Sequence, residues 1–199
     1  MSSPQTASDG SWIYFTDAMD VGQAHVWRMR PDGGGKEQLT SGYSDGEPSP
    51  SPDGKRVAYV GVPVGAGSSA LTVLNLTTKT TVRVGGTGTD PVWSPTANEI
   101  AFIVPDASLN IAQADGSGES VLLKDFPGAP GSVGFNPTVS SLGATYGQID
   151  WSPDGRWLVA CSNLGGDLRE LVLIERATSD MLPLPFTARE KLCQVTWQS

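Results

Sequence analysis

Gln148-Ile149-Asp150-Trp151-Ser152-Pro153-Asp154-Gly155-Arg156-Trp157-Leu158-Val159-Ala160 decides the fold of this chain. It reads as strand, tight turn, strand. Pro presets φ near −65°, Asp bonds back to the backbone and Gly accepts a positive φ, so Ser-Pro-Asp-Gly is turn chemistry. Apolar, β-rich flanks make the stretch a hairpin.

The stretch recurs. Glu47-Pro48-Ser49-Pro50-Ser51-Pro52-Asp53-Gly54-Lys55-Arg56-Val57-Ala58-Tyr59-Val60 is one copy, and Asp90-Pro91-Val92-Trp93-Ser94-Pro95-Thr96-Ala97-Asn98-Glu99-Ile100-Ala101-Phe102 another. Half copies lie at Ser8-Asp9-Gly10-Ser11-Trp12-Ile13-Tyr14-Phe15 and at Gln194-Val195-Thr196-Trp197. The turn position falls on Asp9, Asp53, Thr96 and Asp154, with spacings of 44, 43 and 58 residues. A period in the forties with several short strands per unit is the mark of a β-propeller blade.

Three further strands follow in each unit. They are expected at Trp12 to Asp17, His25 to Arg30 and Lys36 to Thr40, then at Arg56 to Val60, Ala70 to Asn75 and Thr81 to Val84. The third unit offers Glu99 to Val104, Ser108 to Ala112 and Ser120 to Leu123, and the fourth Arg156 to Ser162, Arg169 to Glu175 and Met181 to Leu184. No window carries a helical i, i+3, i+4, i+7 stripe over three turns. The expected fold is therefore all-β, a propeller of four blades of four antiparallel strands. Residues 1–7 read as a polar tail and 8–199 as a single domain. The last strand, Gln194 to Trp197, is expected beside Trp12 to Asp17, closing the ring and covering a sheet edge. Half of an eight-bladed ring made by a homodimer, and a piece of a larger propeller, are the alternatives.

Trp151-Ser152-Pro153-Asp154-Gly155-Arg156, taken with Val26-Trp27-Arg28-Met29-Arg30-Pro31-Asp32-Gly33-Gly34-Gly35-Lys36-Glu37-Gln38-Leu39-Thr40, resembles the TolB-type, WD40-like β-propeller repeat (PD40). The resemblance runs from about residue 8 to 199. It implies a protein-interaction scaffold in a complex of the bacterial envelope, periplasmic or extracellular. Pro50 stands where other copies have Trp, and Thr96-Ala97 replaces Asp-Gly, so both inner turns are expected to differ in shape.

Composition narrows the function. The chain has 199 residues, a net charge of −8 and 38% hydrophobic residues. Without a basic run it suits no nucleic acid, because phosphate contacts need clustered Lys and Arg. No stretch of about 18 apolar residues marks a membrane span. Met1 to Ala7 lacks the apolar core of a signal peptide. Cys161 and Cys193 lack zinc-ligand pairing and read as buried thiols, with a disulfide as the alternative in an oxidising compartment.

Catalysis is not expected. The chain has one histidine, His25, within a strand. It has no Gly-x-Ser-x-Gly elbow of the hydrolases that accompany such propellers in prolyl-oligopeptidase-like peptidases. A catalytic residue is needed once, whereas a turn is needed in every blade. The repeated Asp9-Gly10, Asp53-Gly54 and Asp154-Gly155, with Pro52, Ser94, Pro95, Ser152 and Pro153, therefore read as structural. The same logic makes Trp93, Trp151 and Trp197 packing residues. No cofactor or metal site is expected, apart from an ion in the propeller channel by analogy with other four-bladed folds.

The irregular feature is an insertion of about fifteen residues, Phe126 to Ser140, carrying Phe126, Phe135 and Asn136. An uncharged loop with aromatics is a candidate partner-binding surface. Trp12 and Trp27 join it as candidate ligand residues for a carbohydrate or small-ligand binder. A gating propeller of a peptidase or glycan hydrolase is a further alternative; it would need a unique pair of acids, which the repeated Asp positions do not supply.

Overall fold

The computed structural model describes residues 4–20, 23–62, 68–104, 108–124, 149–165, 168–189 and Trp197. Sixteen strands form four four-stranded antiparallel sheets, and no helix occurs among the described residues. The first sheet runs β1 (Gln5–Thr6), β2 (Ile13–Asp20), β3 (Gln23–Met29) and β4 (Glu37–Gln38). The second runs β5 (Ser44–Pro50), β6 (Arg56–Val62), β7 (Ala70–Asn75) and β8 (Thr81–Arg83). The third runs β9 (Thr89–Trp93), β10 (Glu99–Val104), β11 (Ser108–Gln113) and β12 (Glu119–Leu123). The fourth runs β13 (Ile149–Trp151), β14 (Trp157–Gly165), β15 (Leu168–Glu175) and β16 (Met181–Arg189).

Each sheet is a meander in sequence order, as hairpin-connected strands of one blade should be. The middle strands are near-continuous apolar runs. Glu99 to Ile103 of β10 and Ser108 to Ala112 of β11 are buried on successive residues, and β7 is buried from Ala70 to Leu74. Alternation is lost because both faces of a middle strand are covered. The fourth strand is different: Thr81 to Arg83 of β8 are all exposed.

The chain forms two compact units. One comprises Met1–Trp93 with Asn98–Ile100 and Ala112–Glu119; the other comprises Ser94–Ala97, Ala101–Ile111 and Ser120–Ser199. The core of the first gathers Ala7, Tyr14, Val26, Val57, Tyr59, Leu74 and Leu76, with Trp12 and Leu39 packed against it. In the second, Phe102, Ile103, Leu109, Ile111, Leu158 and Ile174 are fully or almost fully buried.

The N-terminus departs from expectation. Residues 1–7 are not simply a tail, because Gln5 and Thr6 pair with Tyr14 and Ile13 of β2 and Ala7 is buried in the core. The chain's own start thus supplies a first strand to the first sheet, at the edge expected to receive the last strand. Thr6 occupies the repeat position of Pro50, Trp93 and Trp151, so the repeat extends one strand further upstream than its flanking composition suggests. Gln194 to Thr196, and with them the expected closure, lie outside the described residues.

Candidate functional site

The repeated turn is built around one hydroxyl. Ser51 Oγ donates to Asp53 Oδ1 at 2.6 Å, while Arg56 N–H donates to Ser51 Oγ at 2.9 Å. Gly54 closes the turn by donating to the Ser51 carbonyl, at φ 65°. Ser152, Asp154, Gly155 and Trp157 repeat the arrangement at 2.6 Å and 2.9 Å. The Ser hydroxyl is the main reason that the Asp53 and Asp154 carboxyls sit below the usual carboxylate range. In the first sheet Ser11 Oγ plays the donor to Asp9 from the other side of the turn, at 2.6 Å. Asp9, Asp53 and Asp154 are thereby committed to their own backbones.

Pro50 leaves the Ser51 turn unaltered, contrary to expectation, because its side chain takes no part in the hydroxyl network. Thr96-Ala97 does alter the turn. Ser94 Oγ accepts from Thr96 N–H at 3.4 Å and Ala97 N–H at 3.2 Å, and Thr96 holds the place of Asp53 and Asp154.

The tryptophans divide. Trp93 and Trp151 are buried. Trp93 Nε1–H donates to the Ser49 carbonyl at 2.8 Å, joining the first strands of the second and third sheets. Trp197 donates its backbone N–H to Asp150 Oδ2 at 3.0 Å. Trp12 packs against the core under the Arg28 guanidinium, 4.1 Å from its ring centre. Trp27 lies across from Phe15, with Lys36 Nζ 4.8 Å from its ring centre, and His25 lies across from Asp17. Lys36 is itself paired with Asp17 at 2.8 Å. Phe126, Phe135, Asn136 and Cys193 fall outside the described residues, as does the side chain of Cys161.

Two acids that the repeat logic passed over stand out. Glu47 and Asp90 occupy the same position of successive blades, each just before a proline. Both hold left-handed backbone, φ 55° and 52°. This conformation is unusual for any residue but Gly, Asn or Asp, and such strain clusters at functional positions. At Glu47 it accompanies a break in register between Gly46 and Ser49 in the β5–β6 pair. Glu47 N–H donates to Thr16 Oγ1 at 3.2 Å, and Glu47 Oε2 accepts from Asp90 N–H at 2.8 Å. Burial raises the Glu47 carboxyl. Burial first, and the neighbouring Glu47 charge second, push Asp90 up to about 7. Unlike the turn acids, Asp90 titrates near neutrality. Among the described residues no three His, Cys, Asp or Glu side chains are grouped as a metal would need. No helix there is long and apolar enough to cross a membrane.

Comparison with known proteins identifies the architecture. No family model matches the chain. A structure of a TolB candidate from Agrobacterium tumefaciens superposes with a TM-score of 0.70 at 17% identity, over 92% of this chain and 63% of that one. TolB from Acinetobacter baumannii gives 0.69 at 16% identity, over 92% and 43%. The β-propeller domain of Cps50 (Swd1) from Myceliophteria thermophila gives 0.61 at 13% identity, over 94% and 56%.

The fold is a β-propeller.

Its likeness is to TolB-type propellers, and the four sheets are its blades, with β1, β5, β9 and β13 as their first strands. Among curated sequences, the uncharacterized protein Atu1656 of Agrobacterium fabrum is 32% identical over 120 residues, which cover 50% of this chain and 38% of that protein. The chain thus spans 38% of that curated relative and between 43% and 63% of the solved structures named above.

Proposed function

We propose that this propeller is a non-catalytic scaffold that holds a protein partner, with the Glu47–Asp90 pair on its inner strands as the anionic contact. The observation that carries the reading is the contrast within the repeat. The Asp of each Ser-Pro-Asp-Gly turn is occupied by its own backbone, while Glu47 and Asp90 are held in strained backbone without a cationic partner among the described ion pairs. A basic side chain or a chain-terminal ammonium would favour the ionised pair. The TolB-like architecture supports a role in protein assembly, and the sequence resemblance points to an envelope complex, periplasmic or extracellular. A displayed library of short peptides tests it. Peptides rich in Lys, Arg or free amines should be enriched on the protein and lost with Glu47→Gln and Asp90→Asn. Indifference of enrichment to both substitutions overturns the reading.

The pair favours one second reading. A carboxyl titrating near 7 beside a second carboxyl is the signature of acid–base chemistry on glycans. Against it, one Glu47 oxygen already accepts the Asp90 amide. Hydrolysis of an oligosaccharide by the protein, abolished by Asp90→Asn, would establish it. Sizing with light scattering separates a single-chain propeller, near 20.8 kDa, from a two-chain ring.

A further inference from the structure

A cleft of about 320 Å³ opens in the first unit between the end of the first blade and the second blade. Its walls include Thr40, Asp45, Tyr59, Gly61, Thr72 and Leu74. The volume lies at the small end of the range for ligand pockets.

Asp45 is the unusual member. It is 3% exposed, and no Lys, Arg or His pairs with it among the described residues. Burying a carboxylate without a counter-charge is costly. Its Oδ2 accepts Gly42 N–H at 2.7 Å. An ionised carboxylate offers about four acceptor sites, so one amide leaves most of its capacity unused. The surroundings are cut to admit it: a Cβ on Gly42 or on Gly61 would fall on Asp45 Oδ1. Tyr59 stands beside it. Burial, and then the Asp45 charge, push the Tyr59 phenol up to about 12, so it stays a neutral O–H. None of the described hydrogen bonds reaches that hydroxyl. Lys79, at the cleft wall, is 3.0 Å from Glu37 and so already paired.

We propose that this cleft binds a small organic monocation, an alkylammonium group, with Asp45 as its counter-ion. The Tyr59 hydroxyl accepts one ammonium N–H, and the Leu74 wall takes the short apolar body. A single carboxylate matches a single positive charge, and the hydroxyl-bearing walls supply the neutral acceptors that a desolvated –NH3+ needs. A divalent cation would find one carboxylate where it needs several hard oxygen ligands.

Titration with n-butylammonium chloride, followed by calorimetry and by amide NMR, tests the site. Saturable binding is expected, with the largest shifts at Gly42, Gly61 and Thr72. Butyrate and potassium chloride should give neither. Asp45→Asn keeps the shape and should weaken binding at least tenfold; Tyr59→Phe should weaken it severalfold. Absence of saturable binding by the wild-type protein, or shifts confined to other residues, would overturn the proposal. So would Asp45→Asn binding equally well. If Asp45→Asn does not fold, the wild-type shift map and Tyr59→Phe decide.

Discussion

The repeat places acids at two positions, the turn in Asp53 and Asp154 and the first strand in Glu47 and Asp90, and they live in opposite electrostatic conditions. At the turn, Asp53 and Asp154 accept from a serine hydroxyl and a backbone amide, which hold them ionised. Six residues before the turn position, on the first strand of the blade, Glu47 and Asp90 are desolvated, and Asp90 also faces the Glu47 charge. The same residue types, a few positions apart, are thus locked down in one place and left protonatable in the other. Repetition alone does not separate them, since both positions recur. What separates them is whether the local backbone supplies donors.

The comparison can be broken first at the turn. Ser51→Ala and Ser152→Ala remove a buried hydroxyl that serves both an acid and an amide. Each should cost about 1–3 kcal/mol, the range for leaving buried polar groups unpaired. Ser94→Ala, with its longer contacts and Thr96 in place of the turn Asp, should cost the low end or less. Urea unfolding of the three variants side by side is the measurement; equal costs would show that the network contributes nothing beyond turn shape.

Gly54→Ala and Gly155→Ala come next. Both positions have left-handed φ, which costs a β-carbon about 1–2 kcal/mol. Open space surrounds Gly54, whereas Thr96 Oγ1 fills the place of a Cβ on Gly155. Gly155→Ala should therefore be the more destabilising. Adding Thr96→Ala should return it to the cost of Gly54→Ala, as read by melting temperature.

The pH profile sharpens the contrast more gently. Asp90 is raised in the fold, so the folded protein binds the proton more tightly than the unfolded chain. Its contribution is fully present below about pH 4 and is lost as pH rises toward 7. Asp53 and Asp154 are lowered, so their contribution is present above about pH 4 and is lost as pH falls through their folded values. Asp90→Asn should flatten the decline between pH 4 and 7 and leave the acid limb untouched. The smallest effect expected is that of Glu47→Gln. It removes the secondary cause of the Asp90 shift and leaves burial in place. Asp90 should then titrate below 7 and still above the ordinary aspartate value, as followed by carboxyl NMR.

Much of this fold was legible in the sequence because turn chemistry is local. Ser-Pro-Asp-Gly states its own hydrogen bonds, and β7 and β10 lie where the apolar runs place them. β1 was not legible: Gln5 and Thr6 are polar, and they form a strand only because β2 offers an edge. The acid pair left a signal, an acid before proline at Glu47 and Asp90, separated by the blade period. The signal acquires meaning only when β5 and β9 meet and the Asp90 amide reaches Glu47. The Asp45 cleft left none, since it depends on two glycines in different segments giving up the same space.

The prolines of β5 and β9 have a consequence beyond blade geometry. β5 carries Pro48 and Pro50, and β9 carries Pro91. Each removes an amide from an edge where a foreign strand would look for donors. During synthesis, or when a neighbouring blade opens, these edges are poor templates for intermolecular pairing. Replacing all three by Val would strengthen the β-propensity of the isolated strands. It should also raise the fraction lost to aggregation on refolding, as read by light scattering.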